Sequence, residues 1–494
     1  MIKEKLKSLR GSGGSIPQKT VRSGIWSLIS RISTRGLSFL QIIIIARILV
    51  PKDFGLLGIS LLTIEILKVF TKTGFQESII QKKEDVKEHL NSAWTVLVLR
   101  GFALYLVLFA VAPLIAAFFN EPRAVDILRV FGLVLIFRGM RNIGVVFFRK
   151  ELQFKKKFVL DLSKVLPAFV ITVSLAYLLQ NVWALVYGTV SGALISMVMS
   201  YFIHPHQPSL EFKIDKISEM FTFGKWIMAS SIITFFLTQG DDIFVGRILG
   251  VTALGFYQLA YRISNAPATE ISHTITRVLF PAYSKIQDNI KKLKVAFKKV
   301  FFVISFITFP ISFGIIAIAP EFTIVILGEK WEAIILPMQI LSIWGLIRAL
   351  ASTAGPVFKA IGKPHISTRI HIVELIFIVI LIYPFSLWRG IVGISTALVI
   401  SISLANLITA YYITTETKLK KKKLFKYIMI PILISGTMVA GIWISKIFIQ
   451  RYDIFFLLYE IIIGAMIYLG LAFLADKKTS WKPINNIKEI WAQF

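Results

Sequence analysis

The sequence predicts an all-α polytopic membrane protein with about fourteen transmembrane helices, and three observations carry that prediction. The first is composition: 56% of the 494 residues are hydrophobic and the mean hydropathy is +0.73, well above a soluble domain. The second is the arrangement of the apolar residues in runs of about twenty, the length that crosses about 30 Å of hydrocarbon as a helix. The third is charge. There are 56 Lys+Arg against 27 Asp+Glu, a net charge of +29, and the basic residues crowd into alternate segments between the runs, as the positive-inside rule requires.

In chain order, residues 1–22 are polar and basic and read as a cytoplasmic tail rather than a cleaved leader. The apolar runs follow at 26–47, 54–75, 94–118, 126–147, 158–179, 182–203, 224–248, 252–276, 300–320, 333–357, 366–386, 390–413, 427–446 and 453–475. They group into an N-lobe (23–204), a linker (205–221), a C-lobe (222–413), a basic loop (414–426), a final pair of spans (427–475) and a tail (476–494). With the N-terminus inside, 36 basic residues fall on the cytoplasmic side and 7 on the other. Both termini are therefore expected in the cytoplasm of a cell whose plasma membrane holds the chain. Lys420–Lys423 then reads as a membrane-flanking loop, and no nucleic-acid partner is expected. Phe212, Ile214, Ile217 and Phe221 in the linker share a helical face, as do Trp481, Ile484, Ile487, Trp491 and Phe494 in the tail. Both segments are expected to lie as helices on the cytoplasmic leaflet.

The sequence also repeats itself at an offset of 200. Gly24, Trp26, Ser30, Ile32, Ile43, Arg47, Ile48, Leu49 and Gly55 recur at Gly224, Trp226, Ser230, Ile232, Ile243, Arg247, Ile248, Leu249 and Gly255 without a gap. Arg31, Thr34, Ser38 and Gln41 correspond to Ser231, Thr234, Thr238 and Asp241, each set spaced along one helical face. Six spans separate the copies, so the lobes are parallel repeats. That arrangement places a transport site between rocking halves.

Charges inside the membrane speak about cargo. Arg31 and Arg35 sit roughly 8–14 Å above the cytoplasmic edge at 1.5 Å per residue, and Lys68 and Arg100 join them as candidate cavity residues. Arg262, Ser231, Thr234 and Thr238 are the counterparts from the second repeat. Lys72, Arg138 and Arg141 lie close enough to the edge to snorkel. Several cations with few acids suit an anionic, phosphate-bearing ligand. The acids are expected in local pairs, Glu65 with Lys68 and Asp161 with Lys164. Asp241, Asp242, Glu270 and Glu374 remain candidates for ion coupling, with Arg47 and Arg247 for gating. Glu460 stands alone in its span. Proton and sodium are equally open as coupling ions.

Other chemistry is excluded. With no cysteine there is no thiol nucleophile and no Cys-ligated metal. The sequence lacks G-x-x-x-x-G-K, H-E-x-x-H and G-x-S-x-G, so neither an enzyme activity nor a cofactor is expected. His204 and His206 flank Pro205 and mark a helix break, not a metal site. The short outer loops leave no room for an external transferase or polymerase domain.

The run Ala46-Arg47-Ile48-Leu49-Val50-Pro51-Lys52-Asp53-Phe54-Gly55, with Gly74-Phe75 and Ile79-Ile80-Gln81, resembles the polysaccharide transporter (oligosaccharide flippase) family of the multidrug/oligosaccharidyl-lipid/polysaccharide exporter superfamily. So do Asp241-Asp242, Gly246 to Gly250, Leu254 to Tyr257, Ala260-Tyr261-Arg262 and Phe280-Pro281-Ala282. The resemblance covers about residues 20–475. It implies two six-helix lobes forming a V, plus two extra helices. It also implies a polyprenyl-phosphate- or diphosphate-linked sugar as cargo, and a monomer working beside polysaccharide polymerases or ligases. A multidrug exporter of the same superfamily would want an acidic, aromatic cavity, which the cationic first lobe opposes.

Overall fold

Proline, glycine and buried polar side chains decide where the apolar runs bend. The computed structural model describes residues 16–71, 87–213, 228, 231–419, 421–449 and 453–478. By contact the chain divides into two compact units, Met1–Gly255 and Phe256–Phe494.

The first unit opens with α1 (Ile16–Ile48) and α2 (Pro51–Phe70). Pro51 starts α2 at a position where its missing N–H would have had no helical partner. After α3 (Lys87–Phe118), the fourth run is broken. Helices α4 (Ala124–Phe131) and α5 (Leu133–Gly139) lead through a 3₁₀ turn (Ile143–Val146) into α6 (Phe147–Lys150). The two arms meet at 76°. Asn142, 0% exposed, fixes the break. Its Oδ1 accepts from the Gly144 N–H at 2.9 Å and its Nδ2 donates to the His206 carbonyl at 2.6 Å. Its own N–H donates to Ser200 Oγ at 2.9 Å.

Helices α7 (Phe154–Leu179) and α8 (Trp183–Ile203) pack on each other, and α7 packs on α1. Small residues allow the approach, as between membrane helices generally. A Cβ at Gly188 would meet Thr172 Oγ1 at 1.8 Å, and one at Gly192 would meet the Lys164 carbonyl at 2.7 Å. Helix α9 (231–244) then runs into a π-helical turn, Val245–Leu249, closed by Gly250 at φ 88°.

Residues 204–213 are not helical. The interfacial helix expected within 205–221 therefore does not extend over 205–213. Pro205 and Pro208 cannot donate to a helix, and backbone N–H groups of the segment go to α3 instead. Ser209 reaches Asn91 Oδ1 at 3.3 Å, Glu211 reaches Thr95 Oγ1 at 3.0 Å and Lys213 reaches Ser92 Oγ at 3.3 Å. The remainder of that helix, Lys72, Gly74-Phe75, Ile79 to Gln81 and the tail helix after 478 lie outside the described residues.

α10 (Val251–Ser284) crosses the unit boundary after its first turn. The second unit continues with α11 (Ile290–Glu321), a π-helical turn (Phe322–Leu327), a 3₁₀ turn (Glu329–Ile334), α12 (Ile335–Ala351) and α13 (Ala354–Ala360). α14 (His365–Glu416) follows, then α15 (Lys421–Phe448) and α16 (Ile454–Lys478). α14 holds two expected spans, separated where Arg389 and Gly390 leave helical geometry. Gly390 adopts φ 53°, the left-handed region open to glycine. Helix α11 is the hub of this unit, packing on α12, α15 and α16.

Where they are described, the expected runs fall mostly on helix, with breaks at 140–142 in the fourth and at 352–353 in the tenth. Among the described residues, nine helices are long and apolar enough to cross a membrane, or ten with the bent pair counted as one span. Leu99, Leu106 and Leu114 on α3 are exposed, as side chains facing lipid would be. The chain is a multi-pass membrane protein.

The contact boundary falls later than the repeat boundary because α2 and the first turn of α10 touch. A Cβ at Gly55 would lie 1.9 Å from the Val251 carbonyl oxygen, and one at Gly255 would lie 2.0 Å from that of Pro51. Residues 51 and 251, like 55 and 255, are repeat equivalents, so the contact is reciprocal. Gly55→Ala is expected to lower the thermal unfolding temperature of the purified protein, reflecting overpacking of about 1–3 kcal/mol. Gly36→Ala, which meets nothing within 4 Å, is expected to leave it unchanged; equal shifts would contradict the close crossing.

A cationic candidate substrate site

In the first unit, the glycines that bring helices together also set the level at which charged side chains meet. A Cβ at Gly139 would lie 3.2 Å from Gly101 Cα. That approach of α5 to α3 brings the neighbouring residues Arg138 and Arg100 to one depth. Gly192 does the same for Lys164 on α7, whose carbonyl it nearly touches.

Arg100 turns back onto the end of α2. Its Nε and Nη2 donate to Thr71 Oγ1 at 3.0 and 2.8 Å, and Nη2 also donates to the Lys68 carbonyl at 3.1 Å. This is a capping role, because the last carbonyls of a helix lack intrahelical donors. Lys68 pairs with Glu65, as the spacing suggested. Asp161 departs from expectation: it pairs with Lys157 and accepts from Ser30 Oγ at 3.2 Å. Lys164 is left, among the described residues, with no ion pair and no hydrogen bond. The charges acting on it are Arg138, Arg141 and Lys68, opposed by Asp161. The Nε of Arg141 is buried without a hydrogen-bond partner. Six cations (Lys68, Arg100, Arg138, Arg141, Lys157 and Lys164) thus gather around two acids, Glu65 and Asp161, that are already engaged.

Glu65 also lines a cavity of about 290 Å³, together with Val69, Ser231, Thr234, Phe235, Thr238 and Gln239. The three hydroxyl residues singled out from the second repeat therefore share one cavity wall, and Gln239 adds an amide. Arg31 and Arg35 lie on α1, Arg35 exposed, and neither lines this cavity. Arg262 is exposed on α10. Asp241 is buried and Asp242 half-buried, and both have partners within the protein. Glu374 lies 3.6 Å from His371 Nδ1. The side chain of Glu270 lies outside the described residues. Lys164, Arg138 and Arg141 were passed over as a local pair and as snorkelling residues. A sequence signal did exist for Lys164: Lys157 also lies within one helical turn of Asp161, so that one acid could not serve both lysines.

At the other end of α2, a cavity of about 280 Å³ is lined by Lys52, Phe119, Asn120, Glu121 and residues 247–252. Arg247 Nη1 donates to the Phe118 carbonyl at 2.7 Å, tying the end of the π-helical turn to the end of α3. Arg47, its repeat equivalent, is exposed at the end of α1. Glu121 bonds Lys52 at 2.8 Å and Arg123 at 3.2 Å. Burial opposes its ionisation, but those two cations outweigh burial and hold the carboxyl below the usual carboxylate range.

The family model described as polysaccharide biosynthesis protein matches residues 44–336. The chain is 30% identical over 403 residues to the lipopolysaccharide biosynthesis protein WzxC of Escherichia coli, covering 81% of each chain. It is 29% identical to an uncharacterized membrane protein in the cps region of Klebsiella pneumoniae, covering 94% of this chain and 96% of that one. In fold it is similar to the inward closed conformation of the lipid II flippase MurJ. The TM-score is 0.75 at 16% identity, covering 92% of this chain and 99% of that one.

Because the Glu121 carboxyl is held low, its ion pairs stabilise the fold above the unfolded carboxyl value of about 4.3. They are lost as pH falls through the lower native value. Unfolding temperatures measured from about pH 3 to 7 are expected to drop at the acid end. Glu121→Gln is expected to be less stable at neutral pH and to lose part of that acid sensitivity; an unchanged profile would contradict the assignment.

Proposed function

The chain belongs to the polysaccharide biosynthesis protein family, and on that premise we propose that it flips polyprenyl-phosphate- or diphosphate-linked oligosaccharides from the cytoplasmic to the outer leaflet for surface polysaccharide assembly. It acts as a transporter and not as a catalyst. The single observation that carries the cargo class is Lys164: a cation on a membrane helix among Arg138, Arg141 and Lys68, with no ion pair of its own among the described residues, the nearby Asp161 being paired with Lys157. A half-buried charge without an ion pair is costly in a membrane helix, and a phosphate arriving there supplies negative charge through charge-assisted hydrogen bonds.

The second half of the recognition is neutral. Ser231, Thr234, Thr238 and Gln239 offer hydroxyl and amide groups of the kind that bond sugar hydroxyls. The lipid tail needs no protein cavity, since it stays in hydrocarbon while the head group crosses. In this reading the chain crosses the plasma membrane fourteen times with both termini in the cytoplasm. Two parallel six-span lobes rock about the site, and Arg31, Arg35 and Arg262 add positive charge along the path. Arg47 and Arg247 act at its outer end, and Asp241, Asp242, Glu270 and Glu374 are the acids available to ion coupling. The protein works as a monomer that delivers its product to a polymerase or ligase.

Purified protein in liposomes carrying a polyprenyl-diphosphate oligosaccharide is expected to raise the sugar's accessibility in the opposite leaflet above that in empty vesicles. Lys164→Ala and Arg141→Ala are each expected to slow this by about tenfold or more, the loss of one hydrogen bond to a charged group. Lys422→Ala, in the basic loop, is expected to leave the rate unchanged. Equal rates in all variants, or none above empty vesicles, would contradict the reading.

A further inference from the structure

A second group of buried charges lies in the last two helices, far along the chain from the cationic cluster. Lys446 on α15 points its Nζ at the end of α11, where it bonds Glu321 Oε2 at 2.7 Å and the Ala317 carbonyl at 2.7 Å. Its next neighbour is Glu460 on α16, whose Oε1 lies 3.4 Å away. Glu460 is 0% exposed, and neither of its carboxylate oxygens has a hydrogen-bond partner. Glu321 is buried as well, at 4% exposed.

Among the described residues, the surroundings offer Glu460 nothing else. The charges that act on it are Glu321 from α11 and Lys446 from α15. The π-helical turn Phe322–Leu327, which also packs on α16, carries no titratable residue. On α16 itself Tyr468 donates its hydroxyl to the Phe306 carbonyl at 2.6 Å, and Tyr459 stacks on Phe456. Below the triad the packing is apolar and tight: Ile434, Met438, Val439, Ile442 and Ala472 form a buried cluster, and a Cβ at Gly464 would meet Ile442 Cδ1 at 2.9 Å.

Two carboxylates share one ammonium. If both ionise, an apolar helix interface holds a net negative charge whose oxygens accept no hydrogen bond, a state that burial strongly penalises. We propose that Glu460, with Glu321 and Lys446, forms a proton-binding site in the C-terminal helices. Uptake of one proton converts the Glu460 carboxylate to a carboxylic acid and brings the triad from one negative charge to neutrality. A metal cation is a poor alternative occupant, because it would sit beside the ammonium. The distances of 2.7 and 3.4 Å also mean that a shift of the ammonium by about an ångström exchanges which carboxylate it neutralises. The other carboxylate then holds the proton, and the site links proton occupancy to the relative position of α11, α15 and α16. Intramembrane ionisable residues commonly serve as proton relays in this way. The inference stands independently of the cargo.

The test is infrared difference spectroscopy of the purified full chain in lipid nanodiscs, titrated through neutral pH and read at the carbonyl stretch of protonated carboxylic acids. The wild type is expected to show such a band near neutral pH, and Glu460→Gln is expected to abolish it. Glu321→Gln is expected to abolish it as well, because Lys446 then neutralises Glu460 alone. Lys446→Met is expected to raise it, with two carboxyls and no ammonium. Exchanging potassium for sodium at constant ionic strength is expected to leave it unchanged. The proposal is overturned by a wild type without the band, by a band that survives Glu460→Gln, or by one unmoved in Glu321→Gln, which would mark Glu460 as an isolated buried acid. Loss of the band on adding sodium would also overturn it, in favour of a sodium site.

Discussion

A charged or hydrogen-bonding group in hydrocarbon must find its partner within the protein, since the bilayer core provides none. The architecture of this chain follows from how that requirement is met. Backbone groups are met by making nearly everything helix. Where helices break, a buried side chain takes over, as Asn142 does at the bend between α5 and α6. Side-chain hydroxyls are met mostly within one turn, for instance Ser305 and Thr308 donating to carbonyls four residues earlier. Charges are met in clusters. The requirement is left open at Lys164 and Arg141, and an unmet requirement of that kind in a membrane helix points to a ligand.

Small residues make the clusters possible. Lys164, Arg138 and Arg100 each stand at or beside a point where glycine lets two helices come within near-backbone contact. Close packing there fixes the depth of long side chains that would otherwise reach for water. Gly55 and Gly255 do the corresponding service between repeat-equivalent segments. Packing and charge placement are therefore one property of this sequence: an enlarged glycine would displace the cation next to it.

Much of this was legible in the amino-acid sequence, for a physical reason. Hydropathy and the positive-inside bias are strong one-dimensional signals, so the helical runs were found even where charge weakens them, as in α2. The pairing of Glu65 with Lys68 was legible because partners three residues apart share a helical face. Asp161 was misread because two lysines compete for it at three and four residues, and Ser30, 131 positions away, helps hold it over Lys157. No local spacing reveals that contact. The non-helical course of residues 205–213 was not legible for a related reason: the acceptors that hold its backbone N–H groups, Asn91, Ser92 and Thr95, lie on α3 more than a hundred positions away. Glu460 looked alone because its partners, Lys446 and Glu321, sit on two other helices.

The proposed role of the cations around Lys164 is to hold the phosphate of a lipid-linked sugar. The most direct measurement is equilibrium binding of a polyprenyl-diphosphate oligosaccharide to the purified protein in detergent, at fixed ionic strength. The double variant Arg141→Ala, Lys164→Ala should bind at least about tenfold more weakly than wild type, corresponding to roughly 1.4 kcal/mol. A variant losing two lysines of the basic loop at 420–423 should bind as wild type does. Loss in the loop variant to the same degree, or full binding in the cavity variant, would contradict the account.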